Sequence, residues 1–373
     1  MRPPPPPPAA PGDPLEAVDT PALLLDLDAF EANLQAVHSF VAARGGRVRA
    51  HGKAHKCPEI ARRQVAAGAV GLCCQKVGEA EVFVRAGIRD VLVSNVIVGE
   101  SKARRLAELA RGARIGVCVD SPLQVEQLGA AAREARAPLE LLIEIDTGMM
   151  RCGVREPAEA LELARAIEAH RPWLSLRGLQ AYQGRAQHLR SPEERADAIA
   201  KAADRVALFR GALEVEGHRC AEVTGGGTGT YPLELASGAW TEVQPGSYVL
   251  MDADYAANAS APGAPALRQA LEVLCTVITA RASHAVLDGG LKAFAVDSGL
   301  PVLPGSGWRV RGLSDEHAVI VPGEGARPLA VGEKLRAVPG HCDPTVNLHD
   351  WIVAHRGGRV EQAWPIEARG ALF

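Results

Sequence analysis

Apolar runs of about four to eight residues recur along most of the chain, each ending in small or polar residues and each followed by an amphipathic stretch of roughly 10 to 20. The runs that read as strands are Val48–Lys53, Gly71–Lys76, Asp90–Asn95, Ile115–Asp120, Leu139–Thr147, Leu176–Gly184, Ala221–Gly227 and Glu242–Met251. Continuous apolar strands alternating with helices imply a parallel sheet covered on both faces. Eight such units imply a closed (β/α)8 TIM barrel. The competing arrangement is an open doubly wound sheet, which carries its glycine-rich turn after the first strand. Here the glycine-rich signals follow strands seven and eight, which favours the barrel.

The pattern changes at both flanks. Residues 1–14 hold six consecutive prolines and then Ala-Ala-Pro-Gly-Asp-Pro, which predicts a disordered or polyproline tail. Residues 15–27 contain the apolar run Ala22–Leu27, a strand expected to join a second domain. The barrel is expected over 28–262. Over 263–373 only short strand-like runs remain, at Leu271–Ala280, His284–Leu287, Ala293–Val296, Ala318–Val321, Lys334–Val338 and Trp351–Ala354. Turns such as Leu303-Pro304-Gly305 split them, so a C-terminal all-β domain is predicted.

Composition narrows the class. The 373 residues can bury a large core, and 47% hydrophobic with 23% charged residues is ordinary for a soluble enzyme. A net charge of −3 gives no attraction to nucleic acid or an anionic membrane. No apolar run reaches the roughly 18 residues that span a bilayer. The eight cysteines are scattered, none at zinc-site spacing, and no secretory segment opens the chain. Reduced thiols in a cytoplasmic protein are therefore expected.

The candidate chemistry sits where the strands end, the catalytic face of such barrels. Those ends carry Lys53, Gln75-Lys76, Asn95, Asp120, Asp146-Thr147, Tyr182, Thr224–Gly227 and Gly246-Ser247-Tyr248. Arg49–Pro58 packs two lysines and two histidines into one strand-to-helix junction. A lysine short of water and close to other cations loses its proton readily, and a neutral amine attacks carbonyls. Lys53 is accordingly read as the Schiff-base lysine of a pyridoxal phosphate (PLP) site, against the alternative of a solvated basic turn.

Thr224-Gly225-Gly226-Gly227-Thr228-Gly229-Thr230 offers backbone N–H groups and hydroxyls to an anion, and Pro245-Gly246-Ser247 offers a second cradle. Neither ends in the Gly-Lys-Ser/Thr of a triphosphate loop. Arg151 suits a carboxylate or phenolate, or equally a surface ion pair. In an extended His341-Cys342-Asp343, the first and third side chains share a face. Together they suit a hard or borderline divalent ion such as Mn²⁺, Mg²⁺ or Co²⁺, although a plain turn is the alternative.

These motifs together resemble the D-threonine aldolases and their relatives, the metal-dependent D-serine dehydratases and D-3-hydroxyaspartate aldolases, which share an alanine-racemase-like fold. The likeness covers His51–Lys56, Cys73–Val77, Gly178–Tyr182, Thr224–Tyr231, Gln244–Tyr248, Asp252–Tyr255, Asp297–Pro301 and Pro339–Thr345, nearly everything except the proline tail. It implies a cofactor site of Lys53, Gln75, Arg151, Tyr182, Thr224, Gly226, Gly227, Thr228, Gln244, Gly246, Ser247 and Tyr248. The implied metal ligands are His341 and Asp343. The aspartate, where dehydratases place cysteine, points to the aldolase branch. Gln244 stands where alanine racemase has arginine. Gly52 and Gln183 depart from the expected alanine and histidine.

The implied reaction is PLP- and metal-dependent retro-aldol cleavage of D-threonine and related D-β-hydroxy-α-amino acids to glycine and an aldehyde, in a homodimer. Lys53, His55, Arg151, Tyr182 and His188 are the candidate catalytic groups, with metal-bound water, His55 or His188 as proton acceptor. Competing readings are D-3-hydroxyaspartate aldolase, D-serine or 3-hydroxyaspartate dehydratase, a racemase, and a non-enzymatic PLP carrier. Such carriers are barrels without a β domain.

Overall fold

A computed structural model describes residues 5–373. Strand β1 (Ala22–Asp26) leads directly into α1 (Leu27–Ala42), because Asp26 caps the helix by accepting the N–H of Ala29. The repeating units then follow: β2 (Arg47–His51), α2 (Pro58–Ala66), β3 (Gly71–Cys74), α3 (Val77–Arg85), β4 (Asp90–Val96), α4 (Glu100–Leu109), β5 (Arg114–Val119) and α5 (Pro122–Ala135). Next come β6 (Leu139–Glu144), α6 (Pro157–Ala169), β7 (Leu174–Gln180), α7 (Pro192–Val215), β8 (Glu222–Gly225), α8 (Tyr231–Ser237) and β9 (Glu242–Val243). Strands β2 to β9 pair in parallel, and β9 returns to β2 to close the barrel. Proline at the first turn of α2, α5, α6, α7 and α8 starts each helix where a missing N–H costs nothing.

The last barrel strand is much shorter than its apolar run. Pro245 has no N–H for the ladder, so the chain leaves β9 and turns through a 3-10 segment, Ser247–Val249. The barrel interior holds Cys73, Leu92, Cys118 and Leu142 from four successive strands. Beside them lies a buried ionic group: Arg49 pairs with Glu242 at 2.7 Å and with Asp90 at 2.6 Å, and Arg177 with Glu222 at 2.8 Å.

After α9 (Ala253–Ala256) the chain builds β10 (Leu271–Ala280), β11 (Ala285–Leu287), β12 (Trp308–Leu313), β13 (Ala318–Pro322), β14 (Lys334–Ala337), α10 (Cys342–Val346), β15 (Trp351–Arg356) and β16 (Arg359–Pro365). The sheet order is β12-β13-β11-β10-β1-β15-β16, with β14 also on β10. Strand β1 is thus inserted between β10, antiparallel, and β15, parallel.

Three expectations need correction. The tail is not free over its described part: Gly12 donates to Val360, Val360 to Asp13, and Trp351 Nε1 to the Pro5 carbonyl. Ala9, Leu15 and Val18 are buried with Leu24, Leu274, Val353 and Val360, which holds this segment on the sheet. Residues 1–4 lie outside the described residues. Residues 293–296 form a turn, in which the Ala293 carbonyl and Ala295 N–H are occupied by His349 and Thr345 instead of a ladder. Cys342–Val346 is helical, with His341 as its N-cap residue, so the alternation that put His341 and Asp343 on one face of an extended segment does not apply. Among the described residues, no helix is long and apolar enough to cross a membrane.

Candidate active site

A cavity of about 300 Å³ opens at the C-terminal ends of the barrel strands. It is lined by His51, Lys53, Gln75, Ser94, Arg151, Gln180, Tyr182, Gly227, Thr228, Gln244, Gly246, Ser247 and Tyr255. Lys53 lies just beyond β2, and its Nζ is 2.5 Å from Asp343 Oδ2, supplied by α10 of the β domain. Burial alone would favour a neutral amine. The Asp343 carboxylate and nearby Tyr182 outweigh it and hold the ammonium above the usual lysine range. The expected readiness to lose a proton is therefore reversed while Asp343 faces Lys53. Burial pushes Asp343 the other way from its result too: Lys53 first, then His341, keeps that carboxylate well below its usual range.

The two histidines of the basic motif separate. His51, the last residue of β2, lines the cavity with Lys53, which follows it in the turn. Its Nε2 lies 3.0 Å from Gln75 Nε2, and burial, then the charge of Lys53, depress its pKa well below the ordinary value. His55 is fully buried behind the cavity. Its Nε2 bonds Gln64 at 3.1 Å and its Nδ1 accepts the Cys57 N–H, while burial lowers its pKa to about 4. It is a packing residue, and the expectation that it moves protons at the site is corrected. Lys56 is likewise structural, paired at 2.8 Å with Glu79.

Arg151 owes its place to a turn that Asp146 organises: one carboxylate oxygen accepts the N–H groups of Gly148, Met149 and Met150. The guanidinium then lies 5.8 Å from the Tyr182 ring centre and 3.9 Å from Glu144. Burial raises the Glu144 carboxyl to about 7 despite Arg151, with Asp120 and Asp146 adding to the rise. Met149 packs on Gly184, whose N–H points at its sulfur. Gln183 bonds the backbone of Thr147 and Arg185, so this departure from the expected histidine lies outside the cavity lining.

The glycine-rich turn and the Gly246 turn both line the cavity with Lys53. A Cβ on Gly227 would meet Gln187 Oε1 at 2.4 Å, and one on Gly246 would meet His51 Cβ at 3.1 Å. Thr228 Oγ1 is buried in this cradle with no hydrogen-bond partner. An unpaired buried hydroxyl beside glycine backbone fits a bound anion of phosphate size. Thr224 and Gly226 lie behind the lining. Thr224 Oγ1 donates to Glu242 at 2.8 Å and accepts from Gln244 Nε2 at 2.9 Å, and Gly226 backs onto Glu234. Gln244 also donates to Gln180 at 2.8 Å. Tyr248 is buried outside the cavity, its hydroxyl 2.9 Å from His38 Nε2, so its expected contact with a cofactor is corrected.

His341 and Asp343 arrive together on the first turn of α10 without facing the same partner. His341 Nδ1 is 2.6 Å from Asp297, and Asp343 lies between Lys53 and Ser247, whose hydroxyl donates to it at 3.1 Å. Among the described residues, no cluster of three or more His, Cys, Asp or Glu side chains is arranged to hold an ion. An imidazole and a carboxylate held anionic form a donor set that fits a hydrated hard cation, with water completing its shell. His188 lies outside the cavity lining, with Nδ1 2.5 Å from Asp254 Oδ2 and its ring 5.4 Å from that of the lining residue Tyr255.

Sequence reasoning missed His51, Ser94, Gln180 and Tyr255 as lining residues. His51 was signalled only by standing in the same basic motif as Lys53. Gln180 lies two residues before Tyr182. Ser94 and Tyr255 carry no comparable local signal.

The family model of the alanine racemase N-terminal domain matches residues 25–254, and that of a serine dehydratase domain matches 270–355. The chain is 47% identical over 370 residues to a D-threonine aldolase of an Arthrobacter species, covering 99% of this chain and 96% of the relative. It is 44% identical over 370 residues to the 3-hydroxy-D-aspartate aldolase of Paracoccus denitrificans (strain Pd 1222), covering 97% and 95%. The crystal structure of a D-threonine aldolase from Filomicrobium marinum superposes with a TM-score of 0.95 at 47% identity, covering 98% of this chain and 100% of that one.

Proposed function

The chain belongs to the D-threonine aldolase and D-serine dehydratase-like family with an alanine-racemase-like barrel, and from that premise we propose that it cleaves D-threonine and related D-β-hydroxy-α-amino acids to glycine and an aldehyde. The single observation that carries this reading is the meeting of Lys53 with Asp343, an amine from the barrel and a carboxylate from the β domain, 2.5 Å apart in one cavity.

Bound PLP supplies an electron sink for charge left at Cα when the Cα–Cβ bond breaks. Lys53 is the residue to carry its aldehyde carbon. Gly227, Thr228, Gly246 and Ser247 are the residues to hold its phosphate, supported by the orphaned hydroxyl of Thr228. His341 and Asp343 are the ligands proposed for a divalent cation, with Mn²⁺ first among the candidates, and such an ion lowers the pKa of an alcohol it binds. Were a cation held there, Asp343 would be shared between it and the Lys53 ammonium, and burial would then favour the neutral, nucleophilic amine.

The remaining work falls to side chains in the cavity walls and packed against them. Arg151, steadied by Glu144 and Tyr182, presents a planar fork suited to the substrate carboxylate. Asp254 engages Nδ1–H of His188 and so leaves Nε2 as the acceptor for the β-hydroxyl proton, whose removal lets the C–O bond become a carbonyl as Cα–Cβ breaks. Tyr182 and Tyr255 wall the cavity and limit water. A homodimer is the proposed assembly.

The deciding assay supplies D-threonine with and without added Mn²⁺ and follows both possible products. Glycine and acetaldehyde in equal amounts, dependent on the metal, are expected. Formation of 2-oxobutyrate without glycine would mean dehydration and would overturn the reading.

A further inference from the structure

The segment Asp252–Tyr255 joins the barrel to the turn that carries His341 and Asp343. Asp252 is fully buried, and each of its oxygens accepts a backbone N–H from a different side: Oδ1 from Tyr255 at 2.8 Å and Oδ2 from Cys342 at 2.8 Å. Two backbone bonds run alongside, from Ala253 N to the Pro339 carbonyl at 3.0 Å and from Asp254 N to the Gly340 carbonyl at 3.3 Å. Cys342 is the first residue of α10, flanked by His341 and Asp343. Tyr255 is a wall of the cavity. One carboxylate therefore fixes both the start of the helix that bears the candidate cation ligands and a wall of the pocket they serve.

The chemistry demands a carboxylate. An amide of the same shape accepts through its oxygen alone and turns an NH₂ toward the second N–H, so it can satisfy one of the two donors. A buried N–H left facing another donor is costly, and the chain relieves it by moving. The element that bears the lost bond is α10, a five-residue helix also tied by the Thr345 hydroxyl to the His341 carbonyl and Ala295 N–H, by Asp343 to Lys53 and Ser247, and by His341 to Asp297, so the change is felt at its first turn.

We propose that Asp252 is a positioning residue for the cation site: it pins the first turn of α10 so that His341 and Asp343 hold their donor geometry. The proposal rests on the reading of these two residues as metal ligands given above.

The test titrates Mn²⁺ into cofactor-loaded full-length protein and reads free Mn²⁺ by electron paramagnetic resonance, with visible absorbance reporting bound cofactor. Asp252→Asn is expected to weaken Mn²⁺ binding at least tenfold with cofactor per chain unchanged. Asp26→Ala removes the cap on the Ala29 N–H and serves as a control for general destabilisation; it is expected to leave the Mn²⁺ constant within twofold. Equal Mn²⁺ affinity in Asp252→Asn and wild type, or equal loss in both variants, would overturn the proposal.

A second pair covers the case in which Asp252→Asn does not fold. Cys342→Pro deletes the N–H at a first helical position that proline suits, after a residue already extended at φ −140° and ψ 122°. Cys342→Ala keeps the N–H. Loss of Mn²⁺ affinity is expected in the proline variant alone, and equal behaviour of the two would sink the idea. Wild-type protein that makes no glycine from D-threonine refutes the proposed function. Active wild type with an unaffected Asp252→Asn refutes only the role given to Asp252.

Discussion

Lys53 and Asp343 illustrate how one contact sets the chemistry of two side chains. Each alone in a buried cavity would favour its neutral form, and each holds the other charged. Replacing Asp343 by alanine is expected to abolish aldol cleavage while the visible band of bound cofactor survives, because the phosphate cradle and Lys53 stay in place. Replacing Lys53 by alanine is expected to remove the band itself, and borohydride treatment followed by mass analysis of the wild type should locate the reduced adduct on this residue. A pH effect belongs to His55. Its folded pKa of about 4 lies below the ordinary 6.5, so the unfolded chain takes up a proton that the folded chain refuses. Stability is complete above pH 6.5 and drains as pH falls toward 4, by on the order of 3 kcal/mol for the full shift. The thermal midpoint should therefore drop more between pH 7.5 and pH 5 in wild type than in His55→Gln; equal drops would exclude this cause.

At the scale of elements, what could be read from the sequence depended on how each element is buried. Barrel strands are covered on both faces and most carry apolar runs, so all eight were legible, whereas the buried charges of Arg49, Arg177, Glu222 and Glu242 inside them were not. Edge strands are not. In β12, Trp308 and Val310 alternate with Arg309 and Arg311, and in β16, Val360 and Trp364 are separated by Glu361 and Gln362, so a search for apolar runs passed over both. Helix α10 was hidden because a residue before proline usually avoids the helical region, as Asp343 does not. Its helical start is supplied from elsewhere, by Asp252 on the Cys342 N–H, and no local signal announces that. The cradles were visible as glycine runs, although which glycine tolerates no side chain was not. Gly227→Ala would drive a methyl into Gln187, whose amide is already committed to Gly229 and Thr230. We expect its cofactor affinity to fall at least tenfold, as an absorbance titration would show, and the thermal midpoint to fall by a few degrees with it.

For the molecule as a whole, the β domain is assembled from both ends of the chain. Strand β1 lies between β10 and β15, and the proline-rich segment before it packs on β15 and β16 through Ala9, Leu15 and Val18. Composition alone gave no hint of that packing, since prolines exclude ladder pairing but not burial of their neighbours. Deleting residues 1–14 is expected to lower the thermal midpoint by several degrees, while the rate of D-threonine cleavage at 25 °C stays within about twofold, because the described part of this segment contacts the sheet and not the cavity. An unchanged midpoint would show that the segment contributes no stability.

The residue facing Lys53 stands 290 positions later in the chain. All of the barrel strands precede position 343 in the chain, so on the ribosome the lysine's side of this contact is made first, and the pair can form only once the β domain has been synthesised.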